Sequence, residues 1–420
     1  MPSVENVVGR TAATSVLSEA QIETAIAEGI ASLDLAGRRV LVLVPDRTRT
    51  MPLPLFFRLL AKHLVPQARA VDFLVALGTH PALSDEAMLQ MFGLTPPERE
   101  RYPNVRLLNH TWDDPRSLAT VGTISAAEVR EVSGGRLKLE VPVRLNRLVL
   151  EHDHVLVCGP VFPHEIAGFS GGNKYFFPGI AGADVIDFTH WLGALITTHE
   201  VIGRLDTPVR RAIDRAAAMI PVPRSAICSV IVNEGVAGVF VGGAEAAWRQ
   251  AAALSAERHV IWRDAPVRQV LAVLPPMYGE LWVGAKGMYK TEPVVADGGE
   301  VILYAPHLRS VSTAHGAILG QVGYHVRDYF VAQWNRFRHL PWSVLAHSTH
   351  LKGAGAYSNG VEWPRIRVTL ATGISAQECR ALNLDYRDPK TIDPAAFADR
   401  EGEGILYVPK AGEYLYRLRS

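Results

Sequence analysis

The 420-residue sequence predicts an α/β protein, with two α/β domains of mostly parallel sheets and an interdomain cleft. Three observations carry that prediction. Short apolar runs bounded by charge, Gly or Pro recur along the chain, as strands buried on both faces require. Segments with helical periodicity alternate with them, the pattern of a parallel sheet built from crossover units. Near residue 265 the alternation starts again, which divides the chain into an N-terminal domain over 1–264 and a C-terminal domain over 265–420 that closes over the site. Hydrophobic content of 48% and charged content of 20% suit globular cores of that size.

The elements follow in order. Ser18 is placed to cap a helix over EAQIETAIAEGIASL. RRVLVLVPD reads as a strand ending on Asp46, Arg47, Thr48 and Arg49, and PLFFRLLAKHL as the helix after it. AVDFLVALG is a second strand, ending on Thr79-His80, and Ser84 caps SDEAMLQMFG. A polar connection over 95–145 leads to HDHVLVCGPVF, which runs into Pro163-His164. Three strands thus hand over to Asp46 with Arg49, to His80 and to His164, and ligands of open parallel sheets bind outside such carboxyl ends. Beyond His190 the pattern turns helical in WLGALITTHEVIG and TPVRRAIDRAAAMI, with Pro208 near a helix start. SAICSVIVNE and GVAGVFVGG read as strands, and AEAAWRQAAALSAERHV as an amphipathic helix. In the second domain RQVLAVLPP, GGEVILYAP, WSVLAHST, RIRVTLATG and EGILYVPKAGEYLY are strand-like, and the last segment fits either domain.

Composition narrows the function classes. A net charge of +1 with interspersed signs gives no electrostatic case for nucleic-acid or membrane-surface partners. The three cysteines, Cys158, Cys228 and Cys379, form no CxxC pair, which argues against a zinc ribbon or a disulfide framework. With no secretory pattern and no apolar run of about 20 residues, a cytoplasmic location is expected.

The chemistry concentrates in PHEIAGFSGGNKYFFPGIAGADVIDFTH, residues 163–190. Gly168, Ser170, Gly171 and Gly172 form a turn whose main chain can approach a ligand closely and expose N–H groups to an anion. Lys174 follows at once, with His164 and His190 to either side. The phosphate-cradling consensus G-x-x-x-x-G-K-[ST] is not met, since Asn173 precedes the Lys and Tyr175 follows it. A small-anion or nucleotide-phosphate binding protein or transferase on the same fold stays open as an alternative. Arg49 suits a carboxylate or phosphate held by two hydrogen bonds. His80 and His164 could act as acid and base from opposite sides of a substrate. No HExxH or comparable ligand spacing occurs, so a metal here would need most of its ligands from outside the protein.

The set DRTRTMP, LGTHPALS, HEIAGFSGGNK and the later His190 resembles the lactate racemase family of nickel-dependent 2-hydroxyacid racemases and epimerases. The resemblance covers most of the first 200 residues in order and spacing, and fades in the second domain. It implies a nickel-pincer nucleotide (pyridinium-3-thioamide-5-thiocarboxylic acid mononucleotide) attached covalently at Lys174, with His190 as the one protein ligand to nickel. The cofactor's two sulfurs and a ring carbon would complete a square-planar site, as Ni(II) accepts. It further implies that His80 and His164 are the catalytic pair and that Arg49 holds the substrate carboxylate. Asp46, Gly168, Ser170, Gly171 and Gly172 would orient the cofactor. The implied reaction inverts C2 of a 2-hydroxyacid by reversible hydride transfer through a 2-ketoacid, which avoids a carbanion beside a carboxylate. The implied partners are a small 2-hydroxyacid and the enzymes that make the cofactor. In the second domain, lactate-acting members carry Tyr-Gln and, three positions on, Lys. Here Tyr289 is followed by Lys290, and Pro293 takes the later position. Lys290, or Lys286 one turn away, is then expected to supply the second positive charge, with Tyr289 and Trp334 lining the substrate site. The departure points to a 2-hydroxyacid other than lactate, with a larger or more polar side chain.

Overall fold

The computed structural model describes residues 6–12, 15–233 and 235–419. Its compact units are discontinuous. The first comprises Met1–Phe162, Phe169–Ile186 and Arg210–Arg258, and the second Pro163–Gly168, Asp187–Val209 and His259–Ser420. The second unit therefore takes in 163–168 and 187–209 as well as the chain from His259, where the sequence suggests one division at 264/265.

The first unit is built on a seven-stranded sheet. In chain order its strands are β1 (Val8–Thr11), β2 (Arg39–Val44), β3 (Ala70–Val75), β4 (Val105–Asn109), β5 (His154–Pro160), β6 (Arg224–Val232) and β7 (Gly235–Gly243). They lie side by side as β1-β7-β6-β5-β2-β3-β4. All pairs from β6 to β4 are parallel, and β7 and β1 join antiparallel at the far edge. The apolar runs behave as buried parallel strands should: Val40 to Val44 are all fully covered. The Leu53–His63 helix packs Phe57 against Phe73 and Phe92 at centroid separations of 5.3 and 5.4 Å. Each such side chain contributes ~1.5–3 kcal/mol on burial. Ser18 caps the Glu19–Ser32 helix with its hydroxyl and its peptide N–H, forming with Gln21 the capping box that the sequence only half revealed. β2 leads to β3 and β4 on one side and borders β5 on the other, so the strand order reverses between β2 and β5. Open α/β sheets bind ligands outside the carboxyl ends at such a reversal.

The second unit holds a five-stranded all-parallel sheet. Its strands are β8 (Val267–Val273), β9 (Val295–Ala305), β10 (Arg367–Thr372), β11 (Asp385–Tyr386) and β12 (Ile405–Val408), in the order β11-β10-β9-β8-β12. The last segment belongs here too, since Leu415–Leu418 pairs in parallel with Val260–Arg263. WSVLAHST is not a strand. It opens an α-helix, Trp342–Lys352, that starts after Pro341 and stops at Gly353, whose φ is 88°. This helix is buried from Ser343 to Leu351, and burial on all sides erases the amphipathic period that would have marked it in the sequence. His190 likewise does not precede a helix but sits inside one, Ala183–Ile196.

Candidate active site

In the first unit, the turn after β2 places Asp46, Thr48 and Arg49 together. Asp46 is buried, and its Oδ1 accepts hydrogen bonds from the Thr48 N–H at 3.0 Å and the Thr48 hydroxyl at 2.7 Å. Its other oxygen accepts from His80 Nδ1. Burial pushes the Asp46 carboxyl pKa up, but the His80 hydrogen bond, the charges of His80 and Arg49, and Thr48 outweigh it and hold the group well below the ordinary carboxylate range. An ionised carboxylate only accepts, so His80 Nδ1 carries a proton, and in the neutral ring the lone pair lies on Nε2. Asp46 thus orients the His80 ring, a partnership the sequence did not reveal. The Arg49 guanidinium lies 5.6 Å from the centroid of Phe162, just past the end of β5.

The turn that carries His80 is tied to the lysine loop. Gly78 N–H donates to Gly179 O at 2.9 Å, and Gly179 N–H to Lys174 O at 3.2 Å. Lys174 lies half-buried in a 3-10 turn, Gly172–Tyr175. Its neighbour Tyr175 is buried, which raises its phenol pKa, and the charges of Arg49 and Asp46 reach it. Gly159 makes room for it: a Cβ there would lie 1.8 Å from the Tyr175 hydroxyl. Sequence reasoning missed both residues, although a Tyr directly after the Lys was a visible signal.

The glycine turn has a packing cause as well. Gly171 and Gly172 adopt φ of 80° and 58°, and a Cβ on Gly172 would meet Trp248 at 2.8 Å. Trp248 Nε1–H donates to Ser170 O at 2.8 Å, and the Ser170 hydroxyl accepts from Phe162 N–H at 3.1 Å. Arg210 stacks 4.1 Å from the Trp248 ring and donates to Phe169 O. Burial lowers its pKa to about 10 against the opposing pull of Asp214. Asn173 donates to Asp214 at 2.9 Å and to Glu245 at 3.2 Å. Nothing in the spacing of Arg210 or Trp248 marked them as supports of this loop.

The second unit gathers the remaining residues. His164 is 3% exposed, and its Nδ1 accepts from Ile166 N–H at 3.1 Å. Glu165 Oε2 also lies 3.2 Å from that nitrogen, but a backbone N–H cannot accept, so Nδ1 is the acceptor in its bond with Ile166. The 164–166 segment touches the helix that bears His190: a Cβ on Gly193 would meet Ile166 at 3.0 Å. Gly168, at φ 82°, accepts from Gly203 N–H at 2.9 Å, and a Cβ on it would lie 1.9 Å from Arg204 O. Trp191, next to His190, stacks on Trp334 at 4.9 Å and 11°, and Trp334 meets Trp342 edge-on at 5.2 Å. Trp334 is therefore placed beside the His190 helix.

Lys290 and Tyr289 are both buried, at 2% and 3% exposure. Lys290 Nζ donates to Glu413 O at 2.8 Å, which gives its charge a structural partner. Lys286 is half-buried, 5.0 Å from the Tyr278 ring centroid. His350, which sequence reasoning missed, is bonded through Nδ1 to the Thr198 hydroxyl at 2.6 Å. Burial, then the charge of His190, push its pKa down to about 3. Among the described residues no group of three or more His, Cys, Asp or Glu side chains could hold a metal ion, and no helix is long and apolar enough to cross a membrane.

Comparison with known proteins adds five findings. The lactate racemase N-terminal domain family matches residues 4–203. Lactate racemase from Thermoanaerobacterium thermosaccharolyticum is 25% identical over 275 residues, 64% of this chain and 60% of that protein. Lactate racemase from Lactiplantibacillus plantarum is 25% identical over 63% of this chain and 59% of its own. The matches thus span about 60% of the length of these curated relatives. Among solved structures, a Thermotoga maritima protein superposes with a TM-score of 0.88 at 33% identity, covering 96% of this chain and 99% of that one. The lactate racemase apoprotein from T. thermosaccharolyticum shares the fold, with a TM-score of 0.74 at 19% identity over 96% of this chain and 94% of that one.

Proposed function

Residues 4–203 match the lactate racemase N-terminal domain family, and from that premise we propose that the protein is a racemase or epimerase inverting C2 of a 2-hydroxyacid. The observation that carries the proposal is the Asp46–His80 pair beside Arg49, in a turn bonded to the lysine loop. A buried carboxylate fixes the imidazole tautomer, leaving Nε2 as the proton acceptor, while the guanidinium holds the substrate carboxylate. His80 takes the hydroxyl proton from one enantiomer and His164 from the other. Arg49 keeps the carboxylate in place while the carbonyl carbon presents its second face.

The residues fit a nickel-pincer nucleotide. Lys174 offers an amine for the covalent link and His190 a single imidazole for the metal, which suits a metal whose other ligands arrive with an organic carrier. Two buried polar atoms near them lack a hydrogen-bond partner among the described residues: Asn173 Oδ1, one residue before Lys174, and Nε2 of His350, whose pKa feels the His190 charge. When bound, the group supplies a temporary hydride acceptor, so that C2 passes through a 2-ketoacid. Asp46, Ser170 and the glycines of the 168–172 turn shape the loop that receives it, and the enzymes that make the cofactor are the maturation partners. The substrate has a larger or more polar side chain than lactate, since Lys290 is engaged by Glu413 and Pro293 stands where a second Lys would be.

The test is coexpression with the cofactor-making enzymes, followed by intact mass, nickel content and racemisation of a panel of chiral 2-hydroxyacids. The expected result is a mass increment that Lys174→Ala abolishes, with turnover of acids other than lactate. An unchanged mass in the matured wild type would refute the attachment.

A further inference from the structure

We propose that His350 is a positioning residue for the metal-holding end of the site, presenting Nε2–H as a hydrogen-bond donor toward the group held by His190. The inference rests on the assignment of His190 just made, and it extends that assignment to a residue from a distant part of the chain.

Hydrogen-bond accounting fixes the tautomer. His350 is 3% exposed and Thr198 5%, and the Thr198 hydroxyl lies 2.6 Å from His350 Nδ1. If Nδ1–H were the donor, the buried hydroxyl proton and the Nε2 lone pair would both be left over. If the hydroxyl donates to Nδ1, only Nε2–H remains, and one unmet group costs less than two. Nε2 is indeed buried without a hydrogen-bond partner among the described residues. The ring therefore carries a neutral N–H donor that no described residue accepts.

The packing says where that donor stands. The chain on both sides of His190 is fastened to the Trp342–Lys352 helix. Ser343 N–H donates to Asp187 Oδ1 at 2.9 Å, three residues before His190, and Thr198 meets His350 eight residues after it. Trp191, Trp334 and Trp342 fill the interval with stacked and edge-on rings. The charge of His190 reaches His350. Groups that hydrogen-bond a metal's ligands are its outer-shell partners, and removing one typically costs ~10–100-fold in metal affinity or activity. The class of acceptor this N–H suits is a sulfur, carboxylate or thiocarboxylate oxygen of the bound group.

Three variants of the matured protein test the idea. His350→Gln places an amide N–H near the Nε2 position, His350→Phe removes both nitrogens, and Thr198→Val removes the hydroxyl that sets the tautomer. The readouts are intact mass for the Lys174 adduct, the rate of nickel release into a chelator, and the visible absorption spectrum. We expect all three to keep the adduct, with His350→Phe and Thr198→Val releasing nickel ~10–100-fold faster and with shifted spectra. His350→Gln should stay within a few-fold of wild type. Wild-type release rate and spectrum in His350→Phe would overturn the proposal. If that variant fails to fold, Thr198→Val decides on the same two readouts. A wild type without an adduct at Lys174 would instead sink the cofactor reading, so the two failures are distinguishable.

Discussion

His80 and His164 carry the same expected role, yet they are held in opposite ways. His80 donates through Nδ1 to a buried ionised carboxylate, so in its neutral form Nε2 is bare. His164 accepts through Nδ1 from a main-chain N–H, so in its neutral form Nε2 carries the proton. The side chain of the first is 28% exposed and of the second 4%. In their neutral forms the two rings thus differ at Nε2, an acceptor on His80 and a donor on His164. Identical side chains at comparable strand ends are thus made unlike by their partners alone.

The largest effects should come from removing either ring. His80→Ala and His164→Ala are each expected to lower kcat/KM by ~10³–10⁴-fold while leaving the adduct mass and nickel content intact. An active His164→Ala enzyme would break the comparison outright. Asp46→Asn comes next. It keeps a ring partner of the same shape but permits the other tautomer, and a loss of ~10²-fold or more in turnover is expected. Glu165→Gln should cost less than about tenfold, because the Ile166 N–H, not Glu165, orients His164. A loss as large as that of Asp46→Asn would make Glu165 the true counterpart of Asp46, and the contrast between the two histidines would vanish.

The smallest effect concerns stability in acid. The folded Asp46 carboxyl titrates below its unfolded value, so its contribution is complete above the unfolded value of about 4 and disappears as pH falls through the folded one. The stability gap between wild type and Asp46→Asn, measured by urea unfolding, should therefore stay constant from pH 7 to 5 and narrow below about pH 4. A gap that changes between pH 5 and 7 would mean that Asp46 is not the ionised partner described.

Much of the fold was legible in the sequence because fully buried parallel strands leave unbroken apolar runs, as in Arg39–Val44 and His154–Pro160. Where periodicity fails, so did the reading. The Trp342–Lys352 helix is buried all round and carried no stripe to betray it. The residue type of Lys290 is visible in the sequence, whereas its hydrogen bond to the main-chain oxygen of Glu413, 123 residues away, is not.

What the sequence determined by itself was chemistry and order: which residues close each strand, that a lysine follows a run of glycines, and that the ligand set is too poor for a protein-only metal site. Only the tertiary structure decided partnership. It set Asp46 against His80, Trp248 against Gly172 and Thr198 against His350. Hydrogen-bond partners between residues 34 to 152 positions apart depend on how strands and helices pack, and local propensity holds no record of that.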